Sequence, residues 1–224
     1  MNWVSYLPPL LEGAAVTAQL AIYSTVLGAM LAFALGLGRF HGMPYVRGLC
    51  LCIVEFFRGT SLLVQLFWLF FALPIVGESL GWDWRLSPMV AGTLALSLNI
   101  GAYGAEVVRG ALQAVPVGQL EAGLSLGLSP RRVLWKVRLP QALPEMMPSL
   151  GNLAVQNLKD TALVSLISLG DMAFRAEQIR NLTQDSTSVY TLLLLLYFGM
   201  ALVVAGSMKT LEWRLSRWRT QQGR

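Results

Sequence analysis

The sequence predicts an all-α integral membrane protein with five transmembrane helices, and three observations carry that expectation. Hydrophobic residues make up 55% of the 224 and charged residues only 13%, more apolar surface than one soluble core can hide. Several uncharged runs reach the roughly 20 residues needed to cross a ~30 Å hydrocarbon layer as helix. The basic residues also gather in alternate connections between those runs, the pattern that orients a polytopic chain.

Gly13 to Gly38 carries no charge and gives a first span at about 13–38. Residues 1–12 contain no Lys or Arg and the run outlasts a signal-peptide core, so this span is expected to stay on the mature protein. The uncharged run Gly59 to Gly77, extended backward to Gly48 across Glu55 and Arg58, gives a second span at about 48–76. Leu86 to Ala105 gives a third at about 86–109. Met146 to Gly170, interrupted only by Lys159 and Asp160, gives a fourth at about 146–170. Ser186 to Met208 gives a fifth at about 186–210, and residues 1–224 are expected to form one domain.

With five spans, Arg39, Arg47, Arg131, Arg132, Lys136, Arg138, Lys209, Arg214, Arg217, Arg219 and Arg224 share one side. Arg85, Arg175 and Arg180 lie opposite. The bias places the N-terminus outside and the C-terminus in the cytoplasm. Topology and anionic membrane lipid account for the net charge of +5, so no nucleic-acid partner is expected. Cys50 and Cys52 sit two apart on a helix and point to different sides, which fits apolar filler better than a disulfide. His41 has no neighbouring His or Cys, so no metal site is expected, and no nucleophile stands beside a base.

The connection from about 113 to 143 is longer than an antiparallel helix pair requires. Pro116 can open a helix, Gly127 close it, Ser129 cap the next and Pro130 occupy its first turn, giving helix, turn, helix. Arg131, Arg132, Lys136 and Arg138 could contact DNA phosphates, but both ends of the unit run into spans and pin it to the bilayer. A docking element for a cytoplasmic protein fits better.

Polar groups inside spans are functional candidates, because hydrocarbon penalises them unless they face a cavity or each other. Glu55 and Arg58 lie at i and i+3 on one face, with Gln65 further along it. Asn99, Tyr103, Glu106 and Arg109 form a stripe at helical spacing. Ion pairs that hold spans together are the alternative reading for Glu55, Arg58, Glu106 and Arg109, and interhelical packing is the alternative for Asn99 and Tyr103. Lys159 and Asp160 point about 100° apart and cannot simply neutralise each other. A zwitterionic amino acid would answer both.

Glu121, Ala122, Gly127, Leu139 and Pro140 fall on the pattern Glu-Ala-Ala, three residues, Gly, nine residues, Ile-x-Leu-Pro, with Gly123 for the third Ala and Val137 for the Ile. On this the chain resembles the permease subunits of binding-protein-dependent importers driven by ATP-binding-cassette ATPases. EFFRGTSLLVQLF, LSLNIGAYGAEVVRGALQAVPVGQLEA and NLKDTALVSLISLGD extend the likeness to the polar amino acid branch, from about Leu10 to Trp213. Ser61 stands where that branch has Pro, and Ala162 where it has Ser.

The resemblance implies a type I importer permease (MetI-like) fold in a bacterial inner membrane, a second permease subunit, identical or not, two ATPase subunits and an extracytoplasmic binding protein. It implies that Glu121, Ala122, Gly123, Gly127 and Pro140 belong to the coupling contact with the ATPase. It implies that Asn99, Tyr103, Lys159, Asp160 and Thr161 hold substrate, a polar amino acid or a similar zwitterion such as ectoine. No GxxxxGK[ST] phosphate loop occurs, so ATP and magnesium are expected on the partner ATPase and no catalytic residue on this chain. The external segments Gly77 to Ser87 and Asp171 to Ser188 are expected either to be solvated loops or to receive the binding protein. The rival class is an ion-coupled secondary transporter or channel subunit, which has no use for a coupling segment.

Overall fold

The computed structural model describes residues 3–220, with side chains over 5–215. Arg224 and the side chains of Arg217 and Arg219, counted above, lie outside the described residues. The predicted all-helical class is borne out: the described residues form eight helical elements and no strand. These are α1 (Trp3–His41), α2 (Pro44–Gly59), α3 (Leu62–Ser79), α4 (Pro88–Ala114), α5 (Val117–Ser125), the rod α6 (130–160), α7 (Met172–Thr183) and α8 (Ser186–Thr220). A 3-10 segment, Thr161–Ile167, continues α6.

The predicted second span is not one helix. It breaks after Gly59, where Thr60 and Ser61 are extended at ψ 153° and 134°, and resumes at Leu62. The Gln65 side chain spans the break: its Nε2 donates to the carbonyls of Phe57 and Thr60 and, at 2.7 Å, to Thr60 Oγ1. Ser61 sits at φ −70°, the value a proline ring enforces, so the Pro that the resemblance leads one to expect and this Ser meet the same backbone demand.

Two π turns have a common cause. Trp68–Ala72 in α3 and Leu134–Arg138 in α6 are each followed by Leu-Pro, at Pro74 and Pro140. A proline inside a helix lacks the N–H and its ring meets the carbonyl four residues back. Widening the preceding turn, so that Leu73 N–H reaches Trp68 O and Leu139 N–H reaches Leu134 O, keeps the rod continuous through each proline.

The fourth predicted span also differs from a plain helix over 146–170. Its helix is already running before Met146, leaves α geometry after Asp160, and ends where Ser168 turns left-handed at φ 63°. Among the described residues three helices are long and apolar enough to cross a membrane: Ser5–His41, Leu62–Ser79 and Ser186–Leu215. Helix α4 and the later part of α6 fall short of that apolarity because they form the packed centre. Their buried positions are largely small residues such as Ala91, Gly92, Ala95, Gly101, Gly104 and Gly151, with Ser97 and Asn157 among them.

Helices α1 and α4 approach most closely, through small residues. A Cβ placed on Gly104 would stand 2.6 Å from Ala32 Cβ, one on Gly101 2.9 Å from Leu31 Cβ, and one on Gly36 2.8 Å from Val108 Cβ. Without a hydrophobic force between helices in lipid, such backbone approach supplies the dispersion contact that holds them. Apolar clusters around Leu66 and Leu96, around Leu112 and Met146, and around Leu10 and Met172 complete the interior. Helix α8 leaves Leu194, Leu195, Phe198, Leu202 and Val203 exposed on the outside of the bundle.

Candidate functional site

Three elements bring four ionised side chains together around Glu106. From α4 itself, Arg109 donates to Glu106 Oε2 through Nη2 at 2.8 Å and Nε at 3.0 Å. Arg39, at the end of α1, pairs with Glu106 Oε1. Arg58 of α2 lies 3.9 Å from the same oxygen and 3.3 Å from Glu55. The two ion pairs predicted separately therefore form one cluster. Arg39 was counted only as a connection residue, and its position directly after the predicted first span was the available signal.

The polar stripe of α4 meets the end of α2. Because the chain leaves helical geometry at Thr60, the last carbonyls of α2 lack helical partners. Asn99 Nδ2 donates to Phe57 O at 3.4 Å, and the Tyr103 hydroxyl donates to Arg58 O at 3.4 Å. The Arg58 guanidinium carbon stands 5.6 Å from the centre of the Tyr103 ring. Asn99 is half-buried, whereas Tyr103 keeps 39% of its surface open.

Lys159 is exposed and Asp160 half-buried, and among the described residues neither has an ion pair. Thr161 is buried, its hydroxyl donating to Leu158 O at 2.6 Å. Among the described residues no hydrogen bond or ion pair joins these three to Asn99 or Tyr103. Sequence reasoning passed over Asn157, whose Nδ2 donates to Ser24 Oγ at 2.7 Å and Thr25 Oγ1 at 2.9 Å. Ser97 Oγ donates to Ser24 O at 3.3 Å, so a polar seam links α1, α4 and α6. An amide inside a hydrophobic run was the signal for it.

The segment 113–143 is helix, turn, helix, as expected. Helix α5 ends in a Schellman motif: Leu128 N–H reaches Gly123 O and Gly127 N–H reaches Leu124 O, with Gly127 at φ +77°. That backbone conformation accounts for glycine there. Gly123 faces α6, where an added Cβ would meet Val133 Cγ2 at 3.2 Å, so only a small residue fits. Glu121 and Ala122 are exposed beside Leu124 and Leu126, the latter 82% open. The turn is anchored behind: Arg138 Nε donates to Leu112 O at 2.6 Å and its guanidinium carbon lies 4.3 Å from the Phe40 ring centre. Pro140 is exposed on α6, after its π turn.

At the opposite end, Asp171 is fully buried and caps α7, its Oδ1 accepting from Phe174 N–H at 2.9 Å while Oδ2 has no hydrogen-bond partner. Burial pushes this carboxyl up to about 6 against the opposing pull of the backbone amides. Met172 N–H donates to Thr17 Oγ1 at 3.1 Å and docks α7 on α1. Gln184, at φ 55°, then turns the chain into α8. The predicted external segment is thus an ordered helix rather than an irregular loop.

A family model described as a binding-protein-dependent transport system inner membrane component matches residues 24–217. The chain is 59% identical over 219 residues to a probable amino-acid ABC transporter permease protein of Sinorhizobium fredii, covering 98% of this chain and 92% of the relative. It is 31% identical to an L-cystine transport system permease protein of Bacillus subtilis, covering 99% and 93%. A crystal structure of an amino acid ABC transporter with histidines contains a chain that superposes with a TM-score of 0.84 at 30% identity, over 94% of this chain and 96% of that one.

Proposed function

The chain belongs to the family of binding-protein-dependent transport system inner membrane components, and on that premise we propose that it is the permease subunit of an ATP-driven importer of a polar amino acid. The names of its relatives, one for amino acids and one for L-cystine, favour an amino acid over ectoine as cargo. Two copies, or this chain and a second permease, enclose the path, because one bundle of this size is too small to do so. Helix α4 and the later part of α6 cross the membrane inside the bundle, bringing the spans to five. The N-terminus lies outside the bacterial inner membrane and the C-terminus in the cytoplasm.

The observation that carries the reading is the exposed apolar and acidic surface of α5, Glu121, Ala122, Leu124 and Leu126, held by the Gly127 turn and anchored through Arg138. Such a surface suits a groove on a partner ATPase. When ATP closes the ATPase pair, α5 is pulled with it, and Arg138 passes the movement to the ends of α4 and α1. The bundle then exchanges inward-facing for outward-facing packing, and hydrolysis resets it. A binding protein delivers cargo on the α7 side.

Tyr103 and Asn99 of α4, beside the break between α2 and α3, together with Lys159, Asp160 and Thr161, at the change of helix type, supply opposite charges and hydrogen-bond donors for a zwitterion. Uptake by the assembled transporter in proteoliposomes tests the assignment. Labelled amino acid should accumulate only when ATP reaches the ATPase, and accumulation driven by an ion gradient without ATP would overturn it.

A further inference from the structure

A cleft of about 470 Å³ opens at the predicted cytoplasmic end of the bundle, lined by Arg39, Pro44, Arg47, Leu51, Arg109 and Gln113. Its electrostatics are unbalanced. Arg39, Arg58 and Arg109 share the carboxylates of Glu106 and Glu55, which leaves one positive charge over, and Arg47 adds another. The Arg47 Nε donates to the Arg39 carbonyl at 3.0 Å, which holds its guanidinium at the cleft, and among the described residues that guanidinium has no ion pair. The first turn of α2 adds to the field, because Met43 makes no side-chain cap to its amides.

The periodicity of α2 sets this cleft beside an apolar surface. At about 100° per residue, Pro44, Arg47, Gly48 and Leu51 share one face, and Cys50 and Val54, buried against the bundle, lie on one side of it. On its other side come Tyr45, Leu49, Cys52 and Phe56, all exposed, Tyr45 at 91% and Leu49 at 64%. A strongly positive cleft flanked by an uncovered apolar stripe with a tyrosine at its end matches a molecule with an anionic head and hydrocarbon tails.

We propose that the cleft between α1, α2 and α4 binds an anionic phospholipid of the cytoplasmic leaflet, its phosphate held by Arg47 with Arg39 and Arg109 and its acyl chains lying along Leu49, Cys52 and Phe56. The inference goes beyond transport and rests only on the cytoplasmic placement of that end. Bound lipid would lock the junction of α1 and α2 to the Glu106 cluster and make activity depend on membrane composition.

The test is native mass spectrometry of the full transporter, purified with its partner subunits, stripped of lipid and returned to phosphatidylglycerol or phosphatidylcholine. Phosphatidylglycerol should be retained preferentially, about fivefold less in Arg47→Ala, the effect of one basic side chain at an anionic membrane surface, and largely restored in Arg47→Lys. Equal retention of the two lipids, or an Arg47→Ala variant that keeps its phosphatidylglycerol, would overturn the proposal. So would full displacement by millimolar inorganic phosphate, which would make the cleft a site for free anions. Lipid is counted without any transport step, so failure here leaves the importer assignment standing, and a failed uptake assay leaves the lipid count standing.

Discussion

Arg39 and Glu106 form an ion pair between the last turn of α1 and the C-terminal half of α4, residues far apart in the chain and on helices held together by glycines. Arg58 and Arg109 share the same carboxylate, so Glu106 joins α1, α2 and α4 at one point.

Glu106→Gln should therefore destabilise more than loss of an exposed pair would. The Arg39 and Glu106 side chains keep 12% and 21% of their surface, so removing the carboxylate strands partly desolvated guanidiniums. Discounted for that residual exposure, the cost is about 1–3 kcal/mol. A thermal melt of the detergent-solubilised protein checks it, and an unchanged melt would show that the cluster does not hold the helices.

Gly127→Val should separate coupling from folding. A β-branched residue at φ +77° is strained by about 1–3 kcal/mol, a cost confined to an exposed turn. Membrane insertion and expression should persist while ATP-driven uptake falls at least about tenfold, through a misplaced α5. Normal uptake and normal co-purification with the ATPase would remove α5 from the coupling path.

Gly104→Leu should fail for a different reason. Its Cβ alone would come within 2.6 Å of Ala32 Cβ, and the rest of the side chain has nowhere to go without parting α1 from α4. Little folded protein should be recovered, by size-exclusion profile, whereas Gly110→Leu on the same helix, where an added Cβ meets nothing, should express normally.

Asp171 gives a pH dependence whose sign is opposite to that of a salt-bridged acid. Its pKa rises on folding from 3.8 to about 6, so the folded state binds the proton more tightly. This contribution to stability is full below about pH 3.8 and is lost as pH rises through about 6, by about 1–3 kcal/mol. Asp171→Asn keeps the cap on Phe174 and removes the charge. It should raise the melting temperature at pH 7 and flatten its dependence between pH 4 and pH 7. A lower melting temperature in the variant at pH 7 would mean that the carboxylate has a partner in the assembled transporter.

Much of the fold was legible because hydrocarbon demands long apolar runs: α1 and α8 follow the uncharged stretches at 13–38 and 186–208 and extend beyond them. The break at Thr60 was passed over although Arg58, Gly59, Thr60 and Ser61 interrupt the apolar run there, and Gln65 reaching back to Phe57 O marks the junction. The helix, turn, helix over 113–143 was legible through Pro116 and Gly127, because turn chemistry is local, although Ser129, expected to cap the next helix, stands at its N-cap without a side-chain hydrogen bond. The α4 stripe was visible at helical spacing, but its partners were not, because Phe57 O and Arg58 O are backbone groups that no side-chain pattern announces. Asn157 was passed over because its partners, Ser24 and Thr25, lie on a distant helix in the chain.

The most direct test of the importer assignment is uptake of a labelled amino acid panel into proteoliposomes that hold this chain with its co-purifying membrane and ATPase subunits and its binding protein. The expected result is accumulation of one polar amino acid that requires ATP and is lost in Gly127→Val. Accumulation that proceeds without ATP and follows an imposed ion gradient, unaffected by Gly127→Val, would contradict it.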